Sequence, residues 1–533
     1  MKFILKLQLL IIVLSGICFG QFVPDNYNLE RKSFSKTSDD NPVSNSINDI
    51  IIVQDTIWIA TSRGVSKSTD NGASWKNYYQ TSAFGTENVS GIAYNNGIFC
   101  AATAHSVDKD GTSYPEGSGV RLSIDGGKTW FSTPQSIDKA ADTIVVYGIN
   151  NIRALPVTVA VNNISYDVAL TSTHIWTANF AAGLRKVRID SVIANPNCKW
   201  ERVVIPPDNG YDTISPTDTL KFSLQPVAGN FGNENNLNHR LFSVIAIDDN
   251  HIVAGSAGGI NLSTDGGISW RKVNHTNQDH PISGNFVVGL GYNQLTKTLW
   301  AATWKAEDNN EFYAVSYSTD YGETWDIALD GEKAHNVGFK DEETLVPTDN
   351  GVYRSDNYKT WILPAGIIDR DTKIPIITNT YYSASGKGNQ VWLGSETGLA
   401  RLTESGSMWQ GEWKVYIASQ TLPSATETYA FPNPFSPDIE QVMIKYSTGG
   451  KRQSVTIRIF DFGMNLVKTV IQNAERGDVI HSVDGFNNSS TSGVIDFWDG
   501  RDEFGNVVPN GVYFYRVDVG SEDPVFGKIM VLM

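Results

Sequence analysis

Ser263 to Trp270 reads STDGGISW, and the same octet returns as STDNGASW at Ser68 to Trp75, SIDGGKTW at Ser123 to Trp130 and STDYGETW at Ser318 to Trp325. A worn copy, RSDNYKTW, occupies Arg354 to Trp361. The shared pattern is Ser, any residue, Asp, any residue, Gly, two residues, Trp. These residue types describe a tight hairpin. Ser68, Asp70 and their equivalents Ser123, Asp125, Ser263, Asp265, Ser318 and Asp320 can bond the turn's own backbone, while Gly72, Gly127, Gly267 and Gly322 supply a positive φ. Trp75, Trp130, Trp270 and Trp325 open the next strand with a large apolar face for packing between sheets. All of these residues read as structural, the aspartates as corner staples rather than catalytic acids.

A longer unit lies upstream of each octet and persists where the octet is lost. An apolar strand ends in small residues, a turn follows, then Gly and a second strand: Ile57 to Ala60 leads to Gly64 and Val65, and Ile252 to Gly255 leads to Gly259 and Ile260. Ile175 to Ala178 with Gly183, Leu345 to Thr348 with Gly351, and Val391 to Gly394 with Gly398 repeat it. Ile98 to Ala101 reaches Gly119 after an insertion, and Leu299 to Ala302 reaches Phe312 to Tyr317. Seven units between about residues 44 and 418 each have room for a four-stranded antiparallel sheet. Short strands, Gly, Asn and Asp turns and no sustained helical period predict an all-β chain whose main body is a seven-bladed β-propeller.

The octet resembles the Asp-box, or BNR repeat, of sialidases and related propellers. In sialidases an arginine cluster holds a carboxylate beside a Tyr and Glu pair, with the first arginine in Phe-Arg-Ile-Pro ahead of the boxes. The nearest stretch here, Ile152 to Pro156, differs in sequence and follows the second box. Xyloglucan-cleaving glycosidases with Asp-box propellers resemble a pair of propellers, whereas this chain has space for one.

The chain has 533 residues and a formal charge of -15, with 42 Lys plus Arg against 57 Asp plus Glu. That sign argues against nucleic acid and anionic membranes as main partners. Lys2 and Lys6 ahead of the apolar run Leu7 to Leu14, with a cut before Gln21, predict a secretory signal peptide over 1–20 and export from the cytoplasm. Ile17 before Cys18 departs from the small residue of a lipobox, which counts against lipid attachment. No long apolar stretch follows, so no integral membrane segment is expected after signal removal. Cys100 and Cys198 then remain, and both a single bridge and two free thiols stay open.

Residues 21–43 form an N-terminal segment, the propeller runs over 44–418, and 419–429 reads as a polar linker. The Phe431 to Pro437 stretch FPNPFSP is too proline-rich for a central strand and begins a new unit over 430–533. Strands at Val442 to Tyr446, Val455 to Phe460, Leu466 to Ile471, Val494 to Trp498, Val512 to Val517 and Lys528 to Leu532 predict a small sandwich. Gly500, Gly505, Gly511 and Pro509 mark its turns, and Tyr513 and Tyr515 share a face. FPNPFSP, Ile444 to Ser447 and Trp498 to Val517 resemble the immunoglobulin-like domain of the flagellar hook-capping protein FlgD, which overlaps in pattern with type IX secretion sorting domains. The resemblance implies a sorting or attachment role through secretion machinery, although the final Met533 departs from the basic ending of such tails.

No cofactor motif and no catalytic set emerges. Gly127, Lys128 and Thr129 lack the earlier Gly of a phosphate loop, having Leu122 there. Asp108, Asp110 and Glu116 with Gly111 hint at calcium, but the Gly falls too early for an EF-hand. His275, Asp279 and His280 have loose ligand character, and Glu307, Asp308, Glu311, Asp341 and Glu342 are loop acids. No HExxH, paired CxxC or GxSxG is present. The expected function is glycan or protein binding by propeller loops, with glycoside hydrolase and extracytoplasmic assembly factor as rivals. The insertions Ser106 to Ser118 and Pro206 to Asn238 are the expected recognition loops, with Tyr114, Tyr211 and Phe231 as candidates to stack on sugars.

Overall fold

Apolar runs such as Ile57, Trp58, Ile59 and Ala60 are buried on both faces of their strand. A strand covered on both sides must lie inside a stack of sheets, which is how the repeats are arranged. The computed structural model describes residues 41–228, 235–306, 309–419, 426–438, 440–477 and 493–533, together with Leu422 and Ser424. The predicted signal peptide with Ile17 and Cys18, residues 21–40 of the N-terminal segment, Phe231, Glu307 and Asp308 lie outside the described residues.

Sheets follow one another along the chain, each built as an up-and-down meander. Their inner strands are Ile47–Val53, Asn88–Asn95, Ser165–Leu170, Leu241–Ala246, Phe286–Asn293, Gly338–Lys340 and Tyr381–Lys387. The sixth sheet has three strands and a bridge from Arg354 to Ile362 in place of a fourth. A single parallel bridge, Lys340 to Gly386, joins it to the seventh. Ile47 of the first sheet packs with Trp392 and Tyr416 of the last, so the stack closes into a ring. The chain is a β-propeller. Among the described residues the seventh sheet takes all its strands from Tyr381 to Tyr416. Among the described residues the one α-helix is Ile189–Ala194, in the third sheet, where the octet is missing.

Of the two long insertions, the first forms a hairpin with an exposed tip over Asp108 to Thr112, and much of the second covers a sheet rim. Ser106 to Ser118 belongs to a paired hairpin of strands Ile98–Lys109 and Thr112–Ser123. Much of Pro206 to Asn238 is packed against the outer rim of the fourth sheet: Thr213–Ile214 pairs with Trp270 and Arg271 as a fifth strand, and Ile214 and Phe222 are buried. Apolar side chains in this insertion gain more by covering the rim than by standing in water.

The C-terminal unit has two facing sheets. One holds Tyr429–Phe431, Val442–Tyr446 and Val494–Trp498, the other Leu466–Arg476, Gln453–Phe460, Gly511–Val519 and Val525–Val531. Alternating residues including Ile444, Ile457, Tyr513, Tyr515 and Ile529 fill the space between them. Asn433 and Phe435 bond the outer edge of Val525–Val531, shielding it from stray pairing. Phe431, Met443, Ile495 and Phe497 pack against the propeller cluster that includes Trp409 and Trp413.

Candidate functional site

Five of the inner strands and Ile47–Val53 carry a register shift near their start, at Ile47/Asp49, Val89/Gly91, Ser165/Asp167, Leu241/Ser243, Val287/Gly289 and Tyr381/Ser383. A bulge re-aims the side chain beside it, and here the repeated bulges form a tier around the ring axis. Inside lies a channel of about 600 Å³ lined by the inner strands of all the sheets.

Two carboxylates stand in this tier. Asp49 accepts the Ile50 amide at 2.8 Å and, from the next sheet, the Ile92 amide at 3.3 Å. Asp167 repeats the arrangement, accepting Val168 at 2.8 Å and, from the fourth sheet, the Val244 amide and Ser243 hydroxyl at 2.9 Å each. Asn336 bonds its own following amide, Val337, at 2.8 Å in the same manner. Burial, then the charge of Asp167, raises the Asp49 carboxyl to about 7 despite its amide bonds. Burial likewise raises Asp167 to about 6. Both side chains nevertheless border the channel, and no lysine or arginine lines it among the described residues.

Aromatic rings continue around the tier. Tyr166 lies 5.2 Å from Phe242, Phe242 4.5 Å from Phe286, and Phe286 6.0 Å from Trp304. Trp304 is 5.7 Å from His335, which is 5.3 Å from Tyr382. The arc spans the third to seventh sheets, and Tyr166, Phe242 and His335 are its members that line the channel. His335 is fully buried, and its Nε2 is 2.6 Å from Asp349.

The octets lie elsewhere. In the first, Ser68 donates to Asp70 at 2.8 Å and accepts the Gly72 amide at 2.8 Å, while Asp70 accepts the Ser74 amide at 2.9 Å. Ser123, Asp125 and Gly127, Ser263, Asp265 and Gly267, and Ser318, Asp320 and Gly322 form the same bonds. The four glycines have φ from +79° to +84°. Trp75, Trp270 and Trp325 are buried and Trp130 is partly so. In the worn copy the bonded turn is one residue shorter: Asn357, rather than Asp356, accepts the amides of Lys359 and Thr360.

Other sequence candidates are occupied by local structure. Asp108 accepts the Gly111 amide at the hairpin tip, and Glu116 lies 3.3 Å from His105. His275 Nδ1 meets the Ile282 carbonyl at 2.7 Å. Glu311 is buried and accepts amides of Asn285 and Ala306, and Asp341 accepts the Gly388 amide. The Tyr211 hydroxyl accepts the Lys221 amide, and its ring packs 5.2 Å from Phe222. Tyr114 is partly buried opposite Val107 in the hairpin, and Glu342 is exposed. Asp279 and His280 show no gathering with a ligand set, and no group of three metal-binding side chains occurs among the described residues. Cys100 and Cys198 are both free. Asp49, Asp167 and His335 escaped the sequence reading. Their one signal is a polar residue just ahead of an apolar strand, as in Asn48-Asp49-Ile50, Tyr166-Asp167-Val168 and Asn336-Val337.

No family model and no curated protein matches the chain. Among solved structures it is similar to PorZ, a surface component of the type-IX secretion system of Porphyromonas gingivalis. The identity there is 12%, over 92% of this chain and 66% of that one, with a TM-score of 0.29. It is similar to YCF48 from Cyanidioschyzon merolae at 11% identity, over 67% of this chain and 92% of that one, with a TM-score of 0.35. An ancestral GH74 enzyme shares 14% identity over 93% of this chain and 64% of its own, with a TM-score of 0.43. The chain thus spans less than two thirds of the GH74 structure and about that share of PorZ. No helix among the described residues is long and apolar enough to cross a membrane.

Proposed function

We propose that this chain is an exported, non-catalytic binding protein that takes a glycan or protein ligand at the propeller channel, with its C-terminal sandwich used for sorting or attachment. The observation that carries the reading is the channel itself: a cavity of about 600 Å³ whose wall presents more polar than apolar surface, with the Asp49 and Asp167 carboxylates held in place by backbone amides. Such concave sites, rigid before the ligand arrives, are where recognition is cheapest in ordering entropy. The octet aspartates support it by being spent on their own turns.

The test is ligand capture by the mature chain, read by calorimetry against panels of glycans and peptides. Capture without turnover supports a binder; absence of any ligand that competes at the channel defeats it.

A hydrolase is favoured by one observation. Asp49 and Asp167 are held near 7 and 6, a range suited to general acid and base work. Hydrolysis of sialosides or β-glucans, lost in both Asp49→Asn and Asp167→Asn, would replace the binder by an enzyme. The sorting role rests on the hook-capping-like sequence of the sandwich. Deleting residues 430–533 should retain the propeller inside the cell, and delivery of the truncated chain outside would remove that role.

A further inference from the structure

We infer that the channel is a site for a cationic donor group, an alkyl guanidinium or ammonium carried by a peptide side chain or by a free amine. The inference rests on the binding reading above and adds the chemistry of the ligand. Asp49 and Asp167 border the same cavity from sheets one and three. Between them stands Gly91, where an added Cβ would press to 3.0 Å on the Asp167 carboxylate. A side chain at that position would cover the acid, and glycine leaves it open.

His335 reaches the tier from the sixth sheet and gives an independent indication. Its Nε2 lies 2.6 Å from Asp349, and the other ring nitrogen, Nδ1, is buried with no hydrogen-bond partner among the described residues. An orphaned buried polar atom beside a cavity calls for a partner that arrives with a ligand. Asp49 and Asp167 give that partner its chemistry: their amide bonds satisfy part of each carboxylate, and no lysine or arginine among the described residues lines the cavity beside them. A guanidinium, with five N–H donors and a positive charge, supplies what both carboxylates lack. A neutral sugar supplies hydroxyl donors without the charge.

Calorimetry of the mature full chain with four probes decides it: agmatine, the tripeptide Ala-Arg-Ala, its neutral isostere Ala-citrulline-Ala, and cellotetraose. The expected result is binding of a guanidinium probe, with the citrulline peptide weaker by about tenfold or more. Agmatine matching the arginine peptide identifies a free amine; binding of the peptide alone identifies a side chain. Asp49→Asn with Asp167→Asn should weaken guanidinium binding by about tenfold, at an unchanged circular dichroism spectrum. If that variant does not fold, the arginine and citrulline comparison on the unmodified chain still decides. Equal binding of the two peptides overturns the inference, as does binding of cellotetraose with no response to either cation; both outcomes leave the binding reading standing. Turnover of a glycan without capture of any probe removes the binding reading as well.

Discussion

Gly72 of the first sheet rests on Trp392 of the last, so close that a Cβ on Gly72 would stand 2.7 Å from the indole edge and collide with the Tyr416 hydroxyl. The octet glycine therefore does two jobs, a positive φ within its turn and close approach between sheets. Gly127 meets Trp58 and Tyr78 in the same way, and Gly267 meets Trp176. These three octet turns are keyed to the indole of the sheet before them, Gly322 meeting Leu262 instead, and at Gly72 the key closes the ring.

Gly72→Ala should destabilise the propeller by more than Gly97→Ala. Gly97 has φ +88° with open space around it, so its substitution costs only the left-handed backbone, about 1 kcal/mol. Gly72 adds the collision, raising the cost to roughly 2–4 kcal/mol. Tyr416→Phe in the Gly72→Ala background should recover part of the loss. Thermal unfolding measures all three, and equal costs for the two glycines would show that the turn alone matters.

The octet aspartates should make stability fall in acid. The Thr129 hydroxyl and amide hold Asp125 below the usual carboxylate range. For Asp320, burial opposes but the Thr324 hydroxyl and amide outweigh it, holding the carboxyl at about 2. A carboxyl lowered on folding contributes stability that is present above its unfolded value near 4 and lost as pH falls through its folded value. Asp320→Asn should flatten the melting curve between pH 4 and pH 2 and leave ligand binding at neutral pH unchanged. Loss of binding would place this aspartate at a functional site.

Asp49 and Asp167 should act in the opposite sense. Their folded values, about 7 and 6, lie above the unfolded value of 3.8. The folded state then holds protons that the unfolded state has released, so the contribution of these two groups is fullest below pH 4 and is lost as pH rises through 6 and 7. The Asp49→Asn, Asp167→Asn variant should lose this decline and gain relative to the parent by on the order of a few kcal/mol at pH 7.5. Parallel stability curves for the two proteins from pH 4.5 to 7.5 would refute the raised values.

Arg354 should be a strong stability determinant of the sixth and seventh sheets. It is almost fully buried, bonds Glu343 at 2.6 Å and Glu404 at 2.5 Å, and lies 5.0 Å from the Trp409 ring. Arg354→Ala leaves Glu343 and Glu404 with Lys340 as the remaining cation, at 3.2 and 3.5 Å, and should cost about 3 kcal/mol. Arg354→Met with Glu343→Gln and Glu404→Gln should recover much of it, and chemical denaturation provides the comparison.

How much of this was legible in the chain follows the range of the interactions. The octets, the paired apolar strands and the alternating strands of the sandwich are written locally, because Ser68 bonds Asp70 and Gly72, and strand partners follow one turn apart. The hairpin at 106–118 and the rim packing of 206–238 were not legible, because whether an insertion pairs or hangs free depends on a surface supplied elsewhere. The same holds for the channel. Asp49 meets Ile92, Asp167 meets Val244 and Ser243, and His335 meets Trp304 and Tyr382 only after the ring closes. Sequence determined the sheets, since hydrogen bonds between chain neighbours and hydrophobic periodicity suffice to build them. Only the tertiary structure decided which carboxylates share a cavity, since that proximity is set by the packing of one sheet on the next around a closed circle.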